Sequence, residues 1–268
     1  MVANGCILWE AMMTKVLAAI DGTAVSEPVL AVAKAISNVV GADVDAMHVT
    51  GNGAPADAER HAERAGVALR LREPPVGETI VAEAFEPDVE VVVVGLRQML
   101  GGSILAGHVA VEVVQRTGAP VVAVPPTTSL PYELRTILAP VQGPTVVPER
   151  VIRIAHDTRL ELIFLHVDDE RSIPSFEDHP HYDAETWADE FVARWLPGAR
   201  HEAVMVLRVG APEEEIMTYA REAGADMIAM GWSQDLSPGR ATVVRVALER
   251  STVPVALMPV RVRDRTSA

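Results

Sequence analysis

The feature that most limits how this chain can fold is an internal repeat. Val91 to Val94 is an apolar run, followed by a glycine-bearing loop from Gly95 to Gly107, a helical segment from His108 to about Thr117, and a second apolar run from Val121 to Val124 closed by Pro125-Pro126. Met227 to Met230, Gly231, a loop to Arg240, a helical segment to about Arg250 and Val255 to Met258 follow the same grammar, with Pro120 and Pro254 in matching places. Solenoid units are only ~20–50 residues long, so a repeat of this length predicts a duplicated domain. Within each copy, a buried strand delivers the chain through a loop to a helix N-terminus. That arrangement builds anion sites, because the orphan N–H groups and the helix dipole both face the loop.

A chain of 268 residues has room for two such domains, each with its own core. With 49% apolar but only 4% aromatic residues, those cores must be built from Val, Ala, Leu and Ile, which suits buried parallel strands. The net charge of −14 disfavours nucleic acid and anionic membranes as partners, although a small anion needs only local donors. One cysteine, Cys6, leaves no internal disulfide and points to a reducing compartment, so a cytoplasmic location is expected. No apolar run has the length of a membrane span, and the N-terminus lacks the pattern of a signal peptide. Residues 1–13 read as an extension ahead of the first strand.

Apolar runs and turn residues divide residues 14–126 into strands Val16–Ile20, Val44–Val49, Val67–Leu71, Val91–Val94 and Val121–Val124. Between them lie helices from Ser26 to Gly41, Pro55 to Ala65, Glu78 to Phe85 and His108 to Thr117, with Ser26 expected to cap the first. In residues 134–262 the strands are Thr136–Val141, Leu160–Val167, Ala203–Val209, Met227–Met230 and Val255–Met258. The helices there run from Val147 to His156, Ala184 to Leu196, Glu213 to Ala223 and Ala241 to Arg250. Strict alternation predicts an α/β fold of two tandem doubly wound five-stranded parallel sheets. If strand order is 3-2-1-4-5, the ligand crevice lies between the carboxyl ends of strands one and four, where Asp21 and Gly95 would face each other.

The motifs and their order resemble a tandem universal stress protein from Lys15 to Val260. Val16 to Thr23 with Ser26 is similar to that family's opening strand and D-G-S-x-x-S turn. Met47-His48-Val49 and Leu165-His166-Val167 are similar to its L-H-V strand. Val209-Gly210-Ala211-Pro212 through Ile216, then Ala225-Asp226 through Gly231, resemble its G-x-P-x-x-x-I helix and A-D-x-I-x-M-G strand. The resemblance implies halves paired through their last strands as an internal pseudo-dimer, or a homo-oligomer. It also implies a non-catalytic role in stress response with an unknown protein partner.

Nucleotide-binding members carry a glycine loop after the fourth strand, ending in Gly-Ser or Gly-Thr at a helix start. Here Gln98 and Gln234 stand at the middle glycine, Gly107-His108 replaces the first Gly-Ser, and bulky Trp232 follows Gly231. The resemblance places ATP or a related adenine nucleotide, with Mg²⁺ only alongside it, in the first half. The residues carried over are Ala19, Asp21, Val49, Val94, Gly95, Gly107, His108 and Val109. The second half has Gln142 in place of the acid and Asp235 near the phosphate position, so it reads as the weaker site. The alternative is a nucleotide-free interaction scaffold with both sites degenerate.

Bland readings stand beside these. Asp21 can simply bond its own backbone as a turn former. His108 can be an exposed helix opener rather than an anion donor. His179, His181, Asp183 and Glu185 read as a solvated loop, Trp187, Phe191 and Trp195 as a packing face, and His48 and His166 as core residues. No nucleophile elbow, Walker loop or dinucleotide fingerprint occurs, so no enzyme is expected and weak nucleotide hydrolysis remains a remote reading.

Overall fold

The computed structural model describes residues 14–51, 53–98, 104–105, 108–141, 160–168, 204–237 and 241–260. The first half is built from β1 (Lys15–Ala19), α1 (Ser26–Val40), β2 (Asp43–Val49), α2 (Pro55–Ala65), β3 (Leu69–Arg72), α3 (Val76–Ala84), β4 (Val89–Gly95), a hairpin of β5 (Arg97–Gln98) and β6 (Ile104–Leu105), α4 (His108–Arg116) and β7 (Val121–Val124). The second half follows with β8 (Thr136–Val141), β9 (Glu161–Asp168), β10 (Val204–Val209), α5 (Pro212–Glu222), β11 (Met227–Trp232), α6 (Thr242–Arg250) and β12 (Val255–Pro259). The segments expected as helices from Val147 to His156 and from Ala184 to Leu196 lie outside the described residues. So do the extension over residues 1–13, the His179–Glu185 cluster and the aromatic face of Trp187.

Among the described residues the main strands form one ten-stranded sheet, ordered β10-β9-β8-β11-β12-β7-β4-β1-β2-β3. Each half therefore has the order 3-2-1-4-5, the condition under which the crevice falls between strands one and four, and the halves meet strand five to strand five. All pairings are parallel except β7 with β12, which is antiparallel. At that junction Val122 lies opposite Ala256, flanked by Val121 opposite Leu257 and Ala123 opposite Val255. In the repeat alignment Val122 corresponds to Ala256, Val121 to Val255 and Ala123 to Leu257. The central pair thus sits on a local two-fold axis, the geometry of an isologous dimer interface written into one chain.

Strand β4 explains why the sheet must be covered on both faces. Val92, Val94 and Leu96 pack into a cluster with α3 and α4, while Val91 and Val93 pack into another with α1. Each fully buried Val is worth about 1.5 kcal/mol or more relative to exposure, so a run of four needs two apolar layers. Helix α1 supplies one of these through Val29, Leu30, Val32, Ala33 and Ile36, spaced on one face, and ends at Gly41 in the left-handed conformation (φ 72°).

Two expectations need correction. Ser26 does not cap α1: the N-cap residue is Val25, without a side-chain cap bond, because the Ser26 hydroxyl turns back to accept from the Gly22 amide at 3.0 Å. The segment after Gly95 is not simply a loop. Arg97 pairs with Leu105 and Gln98 with Ile104 as an antiparallel hairpin, and β6 lies against α6 of the other half. Its local pattern is too short for sequence periodicity to reveal.

Candidate functional site

The carboxyl ends of β1, β2 and β4 open onto a cavity of about 200 Å³. It is walled by Ala19, Asp21, Val49, Val94, Gly95 and Val109, six of the eight residues expected from sequence, together with Met47, Val76, Ile80 and Arg97. Gly107 lies outside the described residues, and His108 is the first residue of α4. The first turns of α1 (Val25, Ser26), α3 (Val76) and α4 (Val109, Ala110) all contribute to the wall. The positive ends of those helix dipoles converge on one place, a field that suits an anion.

Asp21 is positioned from three sides. Its Oδ1 accepts from the Thr23 amide at 3.0 Å, from the Thr23 hydroxyl at 2.6 Å and from the Ser26 hydroxyl at 3.4 Å. The turn-former role is therefore real, but it consumes only one carboxylate oxygen. The other, Oδ2, takes a charge-assisted bond from Arg97 Nη2 at 3.0 Å. Burial pushes the Asp21 carboxyl up, and the Thr23 hydroxyl and amide with the Arg97 charge outweigh it, holding the group below its ordinary value. Gly53 closes the back of the turn: a Cβ there would sit 2.0 Å from the Asp21 carbonyl oxygen, and its φ is 101°.

His48 anchors the same turn. Its Nδ1 lies 3.0 Å from the Ile20 carbonyl, an acceptor only, so in the neutral ring Nδ1 carries the proton and donates. The ring is fully buried, and its Nε2 has no hydrogen-bond partner among the described residues. His166 repeats the contact, Nδ1 to the Val141 carbonyl at 3.0 Å, and adds Asp168 at Nε2. The L-H-V histidine is thus a staple between strands one and two, in keeping with its reading as a core residue.

Gly95 lies where α1 presses on β4. A Cβ there would be 2.8 Å from Val25 Cγ1 and 3.3 Å from Val29 Cγ2, so glycine is needed for close approach at the crevice wall. The second half uses the equivalent ground differently. Trp232 puts a bulkier side chain at the position of Leu96, buried in the core as Leu96 is. The β8–β11 ladder covers only Ile137 with Met227 and Leu138 with Ile228, stopping short of Pro140, which has no N–H to extend it. In the first half the corresponding β1–β4 ladder runs on to Ala19 and Val94.

Gln234 explains one departure from the glycine pattern. Its φ is 61°, the left-handed conformation a glycine would adopt freely. Its Nε2 donates to the Thr117 carbonyl at 2.7 Å and lies 3.3 and 3.5 Å from those of Gln115 and Val114. The amide therefore caps the C-terminal end of α4 in the other half, satisfying carbonyls the helix leaves open. Asp235 forms an Asx turn, its Oδ1 accepting from the Ser237 amide at 2.9 Å.

Arg97 and Gln234 are the contributors sequence reasoning missed. A signal for Arg97 was present, a cation two residues beyond Gly95 and across the crevice from the acid at Asp21. For Gln234 there was none, since its partner helix is 117 to 120 residues away.

Two doubly wound α/β units joined at their fifth strands, the first with a crevice at its strand-order switch point, define a duplicated α/β fold. Residues 133–259, within the second half of the chain, match the universal stress protein family model. A universal stress protein from Archaeoglobus fulgidus DSM 4304 has a similar structure, at 18% identity and a TM-score of 0.65, covering 91% of this chain and 98% of that one. A functionally unknown protein from Pseudomonas aeruginosa PAO1 is similar at 14% identity and a TM-score of 0.63, covering 93% and 94% of the two chains. Both likenesses speak to the fold. Comparison with curated proteins returned no match. Among the described residues no helix is long and apolar enough to cross a membrane.

Proposed function

We propose that this chain is a non-catalytic regulatory member of the universal stress protein family that responds to an adenine nucleotide held in the first-half crevice. The observation that carries this is the convergence of Ala19, Asp21, Val49, Val94, Gly95 and Val109 on one cavity at the switch point. The apolar walls suit a flat base, and Asp21 is an acceptor suited to sugar hydroxyls. The α4 N-terminus, where Gly107 and His108 stand in sequence, would meet the phosphates, with Mg²⁺ entering only as their counterion. At about 200 Å³ the cavity is smaller than the ~300–1,000 Å³ of typical ligand pockets, which suits a buried base with phosphates toward the mouth. Binding would act by population shift, favouring one placement of the β5–β6 hairpin and altering the surface a protein partner meets.

Thermal shift of the full chain with ATP and Mg²⁺, repeated on Asp21→Ala, tests the proposal. Stabilisation of the unaltered protein that the variant loses supports it, and indifference of both proteins to ATP removes it. The interaction-scaffold reading is favoured by one observation, the use of Gln234 as an inter-half cap in place of a loop glycine. That contact concerns the second half, so it leaves the first crevice available.

A further inference from the structure

We infer that Arg97 sets which ligands the first-half crevice accepts, favouring a nucleotide that carries phosphate over the neutral nucleoside. The inference rests on the reading of the crevice as a nucleotide site. Arg97 lines the cavity and bonds Asp21 Oδ2 across its mouth at 3.0 Å, and its side chain is 55% exposed while that of Asp21 is 12% exposed. Asp21 Oδ1 is committed to Thr23 and Ser26, so Oδ2 is the oxygen left to receive a ligand donor. A sugar hydroxyl reaching Oδ2 must share that oxygen with the guanidinium or displace it.

The exchange differs between ligands. A neutral nucleoside competes with Arg97 for Asp21 and brings the arginine no charged acceptor in return. A phosphate offers a planar five-donor fork the acceptors it is shaped for, so the cation passes from Asp21 to the ligand and the charge stays compensated. Asp21 is tied to its own turn by Thr23 and Ser26, whereas the Arg97 side chain is the more exposed of the pair, so the cation is the partner better placed to move. The same residue thereby restores an anion contact at a loop where Gln98 stands at the family's middle glycine.

Isothermal titration of the full chain and of Arg97→Ala with ATP and, separately, with adenosine tests this, and Arg97→Lys separates charge from fork geometry. Arg97→Ala is expected to weaken ATP by about tenfold or more, the loss of a hydrogen bond to a charged group. The same variant should strengthen adenosine by up to about fivefold, since it has no surface ion pair to break. Arg97→Lys should fall between. An ATP-to-adenosine preference unchanged in Arg97→Ala overturns the inference while leaving the nucleotide site standing. Absence of binding of either ligand to either protein overturns the nucleotide reading and this inference together.

Discussion

The two halves have one topology and two fates. In the first, β1 and β4 stay paired to the crevice rim, Asp21 is held by its turn, and Gly95 lets α1 close on the sheet. In the second, Pro140 ends the corresponding ladder early, and the residue at the loop's middle glycine reaches out to cap α4. The contrast teaches that the two copies of a duplicated fold can put the segment after strand four to different uses, one of them at the wall of a crevice. The other copy can be spent on the joint. Helix α4 links the two uses, because its N-terminal turn walls the crevice and its C-terminal carbonyls are held by the second half.

The comparison breaks most completely at the shared axis. Val122→Asp puts a charge into the β7–β12 pairing, where Val122 is 2% exposed, and should cost more than about 4 kcal/mol. Urea denaturation would read this, and near-unaltered stability would mean the junction carries little. Gly95→Ala should cost about 1–3 kcal/mol, because the new Cβ meets Val25 and Val29, both buried in α1. Gly231→Ala should cost less, since the nearest atom, 3.0 Å away, is the Val260 side chain on a partly exposed residue. Equal losses by thermal denaturation would erase the asymmetry between the halves.

Gln234 gives a sharper contrast. Gln234→Ala should lose about 1–2 kcal/mol, the α4 cap, while keeping the left-handed strain. Gln234→Gly also loses the cap but relieves the backbone, so it should retain about 0.5–1 kcal/mol more than the alanine variant. The reverse order would mean that the side chain's bonds matter little.

Asp21→Asn should have the smallest effect, about 1 kcal/mol at neutral pH. Its pH dependence carries the information. A carboxyl whose folded value is depressed stabilises fully above its unfolded value and loses that contribution as pH falls through the folded one. The gap between the original protein and Asp21→Asn should therefore be constant above about pH 4 and close below it. A gap that opens as pH falls would contradict the Thr23 and Arg97 account.

How much of this was legible depended on how local its cause was. Helix α2, from Pro55 to Ala65, and β8, from Thr136 to Val141, have the bounds read from sequence, because proline, glycine and apolar runs mark them within a few residues. Alternation gave the parallel sheets, the order 3-2-1-4-5 entered only as a condition, and the pairing of the last strands came from the family resemblance; the antiparallel sense of the joint is seen in the structure. Ser26 was misassigned because a serine before a helical run is usually a cap, and its hydroxyl instead serves the Asp21 turn. The β5–β6 hairpin has two-residue strands, too short for a period-two pattern. Gln234 and Arg97 are defined by partners more than seventy residues away; the place of Arg97 two residues beyond Gly95 hinted at its meeting with Asp21, whereas no local pattern encodes that of Gln234 with α4.

Native mass spectrometry of the full chain with ATP and Mg²⁺, beside Asp21→Ala, tests the central claim most directly. The account predicts one nucleotide per chain for the unaltered protein and none for the variant. Two nucleotides per chain, or one that persists in Asp21→Ala, would contradict the division of labour between the halves.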